Sequence, residues 1–425
     1  MGTPQPSETI VPGGNLERLF RSVRQQTREL VAGLSDADAT VQSMPDASPA
    51  KWHLAHTTWF FEEMVLAGRA PDYRAFDPQY GFLFNSYYES LGARHARPER
   101  GLLTRPTLTE VNRYRDHIDE AVQRLLAGHG DPQVRMLVEL GCHHEQQHQE
   151  LLLTDILHLF SRNPLHPAYA GARRPPRPVV PHYPATYTRY PGGVVEVGHQ
   201  GPEFAFDCET PRHRQILPGY RLANRCVTNR EWLEFMADGG YRSPLLWLSD
   251  GWEQVQRQGW SMPLYWWEEA GAHFSMTLHG AQPLELDAPV THVSYFEADA
   301  FGTWAGKRLP TESEWEAAAQ GQPRAGNFAD SGLLRAVAPS GMASGPQQLF
   351  GDVWEWTRSA FGPYPGFHAS AGAVGEYNGK FMSGQYVLRG GSCVTPPGHV
   401  RASYRNFFAP DARWQFSGLR LAEDG

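Results

Sequence analysis

The sequence predicts a two-domain α+β protein: a four-helix bundle over residues 15–162, a proline-rich linker over 163–187, and an α+β domain of short elements over 188–425. Three observations predict it. Apolar residues recur at helical spacing in four segments before residue 162. Pro164, Pro167, Pro175, Pro176, Pro178, Pro181 and Pro184 then interrupt the chain. Beyond Gly192, short apolar runs are punctuated by Gly, Pro and Trp. A length of 425 residues suits two or three domains. With 41% hydrophobic and 20% charged residues, each can bury a core, which excludes a disordered chain.

The first helix is expected over Asn15–Leu34, where Leu16, Leu19, Phe20, Val23, Leu30 and Val31 follow helical spacing and Gly33 lies near the end. A second is expected to start with Ser48 as N-cap and Pro49 at the first helical position, and to run to about Gly68. A third starts at Thr107, with Glu110 completing a capping box, and runs to Leu126 before Gly128. The fourth runs from Pro132 to Ser161. Four such helices suit an up-and-down bundle, and the long connection between the second and third is a place for function. The prolines of 163–187 remove backbone donors and forbid a helix, leaving a semi-rigid linker.

In the second domain, helices are expected over Thr228–Asp238, with Trp232, Phe235 and Met236, and over Ser294–Gly306, with Phe296, Ala298, Ala300, Phe301 and Trp304. A third, Thr311–Gln320, opens on a Thr-Glu-Ser-Glu capping box. Residues 385–389 read as a strand, the remainder as loops and short strands, and no internal repeat is visible.

Composition narrows the function. Lys plus Arg number 38 against 46 Asp plus Glu, a net charge of −8, which argues against a nucleic-acid partner. Cys142, Cys208, Cys226 and Cys393 form no C-x-x-C pair, a usage that suits a reducing compartment. Met1–Gly14 carries no apolar leader, and no run of about 18 apolar residues occurs, so a cytoplasmic location without a membrane partner is expected.

The fourth helix carries His144-Glu145-Gln146-Gln147-His148. Histidines at i and i+4 project from one face and can share a metal ion; the alternative is a pair of hydrogen-bonded core histidines. Leu137, Gly141, Leu151 and Asp155 continue that face, which points it into the bundle. The string also fits H-E-x-x-H, a zinc-peptidase pattern with Glu145 as base, but Leu151 and Thr154 stand where its longer form needs Gly and His. A third ligand is offered by the second helix, where either His53 or His56 binds and the other packs. Three histidines leave coordination positions open for substrate and oxygen, whereas a structural zinc site closes with four ligands.

Two independent motif sets carry a family resemblance. SPAKWHLAHTTWFFEE, LFNSYYESLGARHARPERGLLTRP and HHEQQHQELLLTDILH resemble the DinB-like domain of the ergothioneine-pathway sulfoxide synthases. VTNREWLEFMADGGY, VSYFEADAFGTWAGKRLPTESEWEAAA, FGDVWEWTRS and RASYRNFFAPDARWQFSGLRLA resemble the formylglycine-generating-enzyme fold, a C-type-lectin-like α+β domain. The resemblance covers residues 15–422 in family order. It implies a non-haem Fe(II) enzyme that uses O2 to join a thiol to C2 of the imidazole of hercynine, the Nα-trimethylated histidine, with oxidation of the sulfur to a sulfoxide.

By the same resemblance His56, His144 and His148 are the iron ligands and His53 is the packing partner. Gln147 hydrogen-bonds the substrate. Asn406, Phe407 and Phe408 line the hercynine site, where aromatic faces suit a quaternary ammonium. That site is expected between the two domains. In the cysteine-using branch the loop holding Tyr87 and Tyr88 supplies a tyrosine that gives a proton or electron during turnover. Adjacent residues of an extended loop point to opposite sides, so one of the two is expected to face the iron; Tyr88 is taken as the donor and Tyr87 as its support. Arg94 and Arg97 are expected to anchor the carboxylates of the donor, since guanidinium forks match carboxylates.

This sequence departs from the family pattern at Ser383-Gly384, where Cys-Asn is frequent, and at Ala93 and Ala96, where Pro is frequent. Cys393 follows Ser392 without a second cysteine, so conversion of cysteine to formylglycine is not expected. The donor stays open between a thiol, cysteine or γ-glutamylcysteine, and the selenosugar of the related selenoneine synthases. An alternative of another class is a non-catalytic, metal-stabilised lectin-like binding protein, for which a closed zinc site would be the mark.

Overall fold

Capping residues fix where several helices of the first part begin. Asp131 accepts from the amide of Gln133 at the head of a 30-residue helix, and Thr107 exchanges hydrogen bonds with Glu110 as the capping box requires. A computed structural model describes residues 13–70, 72–128, 131–171, 182–339, 341 and 345–425. Its first elements are α1 (Gly13–Val31), α2 (Asp36–Thr40), α3 (Ala50–Phe61), α4 (Tyr80–Phe84), α5 (Leu108–Gly128) and α6 (Pro132–Ser161). All 12 residues of α3 are buried, because α5, α6 and α1 pack around it. A π-helical turn, Glu62–Leu66, continues α3.

Ser48 does not cap α3 as expected. Pro49 takes the cap position without a side-chain bond. The Ser48 hydroxyl instead accepts from Arg100, and its amide donates to Asp155. Two partners distant in sequence have replaced the local cap.

Close approach of α6 to α3 depends on Gly141, where a Cβ would lie 2.5 Å from the Phe61 ring. The chain divides into two compact units. The first is the chain through Arg162 with residues 201–204 and 371–376; the second is the remainder. Residues 172–181 of the expected linker lie outside the described residues.

The second unit contains β1 (Tyr187–Tyr190), β2 (Gly193–Val197), β3 (His213–Leu217), β4 (Tyr220–Ala223), α7 (Asn229–Ala237), α8 (Ser249–Gln258), β5 (Trp266–Glu269), β6 (Ala272–Thr277) and β7 (Gly280–Pro283). It continues through α9 (Tyr295–Trp304), α10 (Glu312–Ala319), β8 (Trp354–Ala360), β9 (Tyr386–Arg389), β10 (Asn406–Phe408), β11 (Ser417–Gly418) and β12 (Ala422–Asp424). Capping boxes at Thr228, Ser294 and Thr311 start α7, α9 and α10. The strands form small sheets, ordered β1-β4-β12, β10-β9-β8-β11, β2-β3 and β5-β6-β7. Helices α9 and α10 pack on β8.

Trp354-Glu355-Trp356 opens β8 and is fully buried. Trp356 donates its indole N–H to the Val293 carbonyl, and Glu355 accepts from Trp315 and Arg420. This is the two-domain α+β fold that the sequence predicts. Among the described residues no disulfide occurs and all four cysteines are buried. No described helix is long and apolar enough to cross a membrane.

Candidate metal centre

His144 and His148 stand one turn apart on α6, and α3 brings His56 against them. Each offers a nitrogen, and the three atoms lie within 4.8 Å of one another. Ring centroids are 5.0 Å apart for His56 and His144, 4.7 Å for His56 and His148, and 4.6 Å for His144 and His148. Among the described residues these three histidines are the group placed to share one metal ion.

The rings are held from behind. His56 lies between Trp52, stacked at 4.6 Å, and Trp59, stacked at 5.4 Å, because positions 52, 56 and 59 share one face of α3. Arg100 lies over Trp52, with its guanidinium carbon 3.4 Å from the ring centre. His144 stacks on Phe60 at 4.5 Å. His56 Nδ1 lies 2.6 Å from the Phe84 carbonyl, which leaves Nε2 buried and without a hydrogen-bond partner. His148 Nδ1 lies 2.9 Å from His53 Nδ1. The other nitrogen of His53 meets Asp155 at 2.9 Å. His53 therefore does more than pack.

Burial drives the proton affinity of all three imidazoles down. His144 falls to about 3, and His56 and His148 fall well below the ordinary histidine value, with neighbouring histidines adding to the effect. Neutral imidazole is the form that ligates a metal. An orphaned, buried Nε2 beside two more neutral imidazoles fits a divalent transition metal, and three nitrogen donors leave open positions on it.

Glu145, the base of the peptidase reading, points elsewhere. Its oxygens accept from Arg24 Nη1 at 2.7 Å and Arg115 Nη2 at 2.8 Å, and it is wholly buried. Burial alone would raise its pKa, but the guanidinium groups of Arg115 and Arg24 outweigh that and hold it at about 2. A carboxylate locked between two guanidiniums is no general base.

Comparison with known proteins fits this arrangement. Residues 19–152 match the DinB superfamily, and residues 180–345 and 338–425 match the Sulfatase-modifying factor enzyme 1-like domain. Hercynine oxygenase of Mycobacterium tuberculosis is 33% identical, the match covering 94% of this chain and 96% of that protein. Hercynine oxygenase of Mycolicibacterium thermoresistibile is 34% identical over 96% of this chain and 94% of its own length. The chain belongs to the hercynine oxygenase family. Ergothioneine biosynthesis protein 1 of Schizosaccharomyces pombe is 27% identical over 52% of this chain and 28% of that protein. As a hercynine oxygenase family member the chain is an enzyme of the oxygenase class, and the three-histidine cluster is its candidate metal site.

The other residues singled out in the sequence fall in both units of this family member. In the bundle unit, Gln147 is half-buried on α6 beside His148. Tyr88 is buried and Tyr87 half-buried. They do not point to opposite sides: their rings stack at 4.6 Å and their hydroxyls lie 3.4 Å apart. The backbone at Tyr88 (φ −83°, ψ 87°) turns into a 3₁₀ turn rather than running extended, and this brings the rings together. Tyr88 also packs on Trp59 at 5.5 Å. Arg94 and Arg97 are exposed; Arg94 pairs with Glu89, and Arg97 donates to the Asp46 carbonyl.

In the second unit, Asn406, Phe407 and Phe408 form β10 at a sheet edge, each half-buried. Phe407 stacks on Phe361 at 4.1 Å, and Phe381 lies at 5.8 Å. The roles of His53, Asp155, the Phe84 carbonyl and the Arg24–Glu145–Arg115 set were not read from the sequence. The one available signal was spacing, since Asp155 lies two turns beyond His148 on the same face.

Proposed function

We propose that the chain is a non-haem iron enzyme of ergothioneine biosynthesis that joins a sulfur donor, cysteine or γ-glutamylcysteine, to imidazole C2 of hercynine. The observation that carries this reading is the open three-imidazole cluster in a chain 33% identical, over 94% of its length, to a protein named hercynine oxygenase. Overall, the C2–H of hercynine, the S–H of the donor and O2 become a C–S bond, a sulfoxide and one water. Two electron pairs leave carbon and sulfur and reduce O2 fully.

His56, His144 and His148 would hold Fe(II), which supplies the activation of O2 and a seat for the thiolate. The chain's own residues do the rest. Gln147, Asn406, Phe407 and Phe408 bind and orient hercynine, with aromatic faces toward its trimethylammonium group. Arg94 and Arg97 hold donor carboxylates. Tyr88 delivers a proton from its hydroxyl, and Tyr87, whose hydroxyl lies 3.4 Å away, supports it. The departures at Ser383-Gly384, Ala93 and Ala96 favour keeping a selenosugar donor, with C–Se bond formation, as a second reading.

The test is anaerobic loading with Fe(II), then O2 with hercynine and each donor in turn, followed by mass spectrometry. Coupled sulfoxide with a thiol supports the first reading, and coupled selenide with the selenosugar supports the second. Iron uptake without any coupled product would reject both.

A further inference from the structure

A buried carboxylate, within electrostatic reach of Arg100, is hydrogen-bonded to a histidine that in turn meets the cluster. Asp155, 7% exposed on α6, accepts the Ser48 amide at 2.7 Å through Oδ2, and the same oxygen lies 2.9 Å from His53 Nε2. His53, itself 2% exposed, turns Nδ1 toward His148 Nδ1 at 2.9 Å. Three side chains from α3 and α6 thus form one chain of hydrogen bonds that ends on a member of the cluster.

Two facing Nδ1 atoms have room for one hydrogen, so the chain has a direction. Asp155 Oδ2 already accepts from an amide and acts as an acceptor toward His53 too, which places a proton on His53 Nε2. The relay assigns the hydrogen between the two Nδ1 atoms to His148, with His53 Nδ1 accepting it. With Nδ1 protonated, His148 turns a bare Nε2 to the cluster. His56 reaches the same state by a different route, its Nδ1 facing the Phe84 carbonyl at 2.6 Å. The hydrogen bond made by one ring nitrogen decides what the other can do.

We propose that His53 and Asp155 are positioning residues: a relay that fixes His148 as its Nδ1–H tautomer and holds its ring so that Nε2 points into the cluster. The relay ties the entry of α3, through Ser48, to the ligand-bearing face of α6, two turns from His148. Removing such outer partners of a ligating histidine costs about 10–100-fold in metal affinity. That consequence rests on the reading of the cluster as a metal site; the tautomer itself does not.

The experiment therefore has two arms. In metal-free protein labelled with 15N-histidine, long-range proton–nitrogen spectra read the tautomer, with His148→Gln assigning the signal. His148 is expected as Nδ1–H in the wild type and in Asp155→Asn, whose amide oxygen still accepts, and to lose that preference in Asp155→Ala and His53→Phe. An Nε2–H tautomer in the wild type overturns the relay, as does an Asp155→Ala spectrum unchanged from it.

In the second arm, Co(II) is titrated by its visible spectrum into the same proteins, with near-ultraviolet circular dichroism confirming their fold. Asp155→Ala and His53→Phe are each expected to weaken binding about 10–100-fold, with the double variant no weaker than the worse single, because both act through one path. Additive losses, or none, overturn the relay. If the phenylalanine variant does not fold, the contrast between Asp155→Asn and Asp155→Ala decides. A wild type with His148 as Nδ1–H that takes up no Co(II) supports the relay while rejecting the metal reading.

Discussion

Arg115 donates through Nη2 to Glu145 at 2.8 Å, and both side chains are fully excluded from solvent at the centre of the bundle. Glu145 follows a cluster histidine in sequence, yet its carboxylate leaves the cluster and closes an ion-pair set with Arg24 on the other side. Glu145→Gln would leave the buried Arg115 guanidinium without its carboxylate and Arg24 with Asp119 as its remaining one. The expected outcome is a loss of about 3–5 kcal/mol of folding stability, measured by chemical denaturation. A variant of unchanged stability that lost all turnover would instead restore Glu145 as a catalytic base.

The orphaned Nε2 of His56 gives a direct prediction for metal content. His56→Ala removes one of three nitrogen donors and opens a gap between Trp52 and Trp59, which now sandwich the ring. The variant should fold, lose stability by roughly 1–3 kcal/mol as large-to-small core changes do, and fail to retain stoichiometric iron. Iron analysis after reconstitution and desalting checks it; full occupancy would remove His56 from the site.

The stacked tyrosines predict unequal effects. Tyr88 is buried and packs on Trp59, which in turn stacks on His56. Tyr87 is half-buried and stacks on Tyr88. Tyr88→Phe should divert O2 consumption from coupled product toward oxidation of the donor alone, and Tyr87→Phe should do so more weakly. Product ratios by mass spectrometry are the readout. Wild-type ratios in both would exclude a tyrosine role.

Gly141 predicts a sign that helix propensity alone would reverse. Alanine is the better helix former by about 1 kcal/mol. Its methyl group at 141, however, would lie 2.5 Å from Phe61, whose ring is held edge-on by Phe20 at 5.0 Å. Gly141→Ala should therefore destabilise by roughly 1–3 kcal/mol. It should also weaken metal binding, since α3 and α6 carry the ligands on either side of this contact. A higher melting temperature would contradict the packing argument.

The sequence was most legible where local chemistry decides. The capping pairs Thr107–Glu110, Thr228–Glu231, Ser294–Glu297 and Thr311–Glu314 all form. It was least legible where a distant partner competes, as Arg100 does for the Ser48 hydroxyl. Helix α8 was missed because it buries only Gly251 and Val255, too few apolar positions to show a period. The i, i+4 histidines were plain, but the residues alone left His53 and His56 open. Their division of labour depends on Trp52 and Trp59 enclosing one ring and Asp155 drawing the other. The tyrosine pair misled because an extended loop was assumed where the backbone turns at Tyr88.

The second unit offers a separate pH test. Glu312, 7% exposed at the start of α10, accepts from Arg405 Nε at 2.9 Å and Nη2 at 3.0 Å, and from Arg389 at 2.8 Å. Burial pushes its pKa up, but Arg405 and Arg389 outweigh that and hold it below the ordinary value of 4.5. A depressed carboxyl pKa contributes stability that is fully present above the unfolded value and is lost as pH falls through the folded one. Glu312→Gln should thus cost about 3–5 kcal/mol near neutral pH. The gap between wild type and variant should narrow once the pH drops below about 4.5, where the wild-type carboxylate begins to lose its advantage. Denaturant titrations at pH 7 and at roughly pH 3.5 measure both gaps. Because Arg405 directly precedes Asn406, the variant should also loosen β10, and with it the proposed hercynine contacts of Asn406 and Phe407. A gap that stayed constant or widened in acid would show that Glu312 stabilises the fold by something other than its charge.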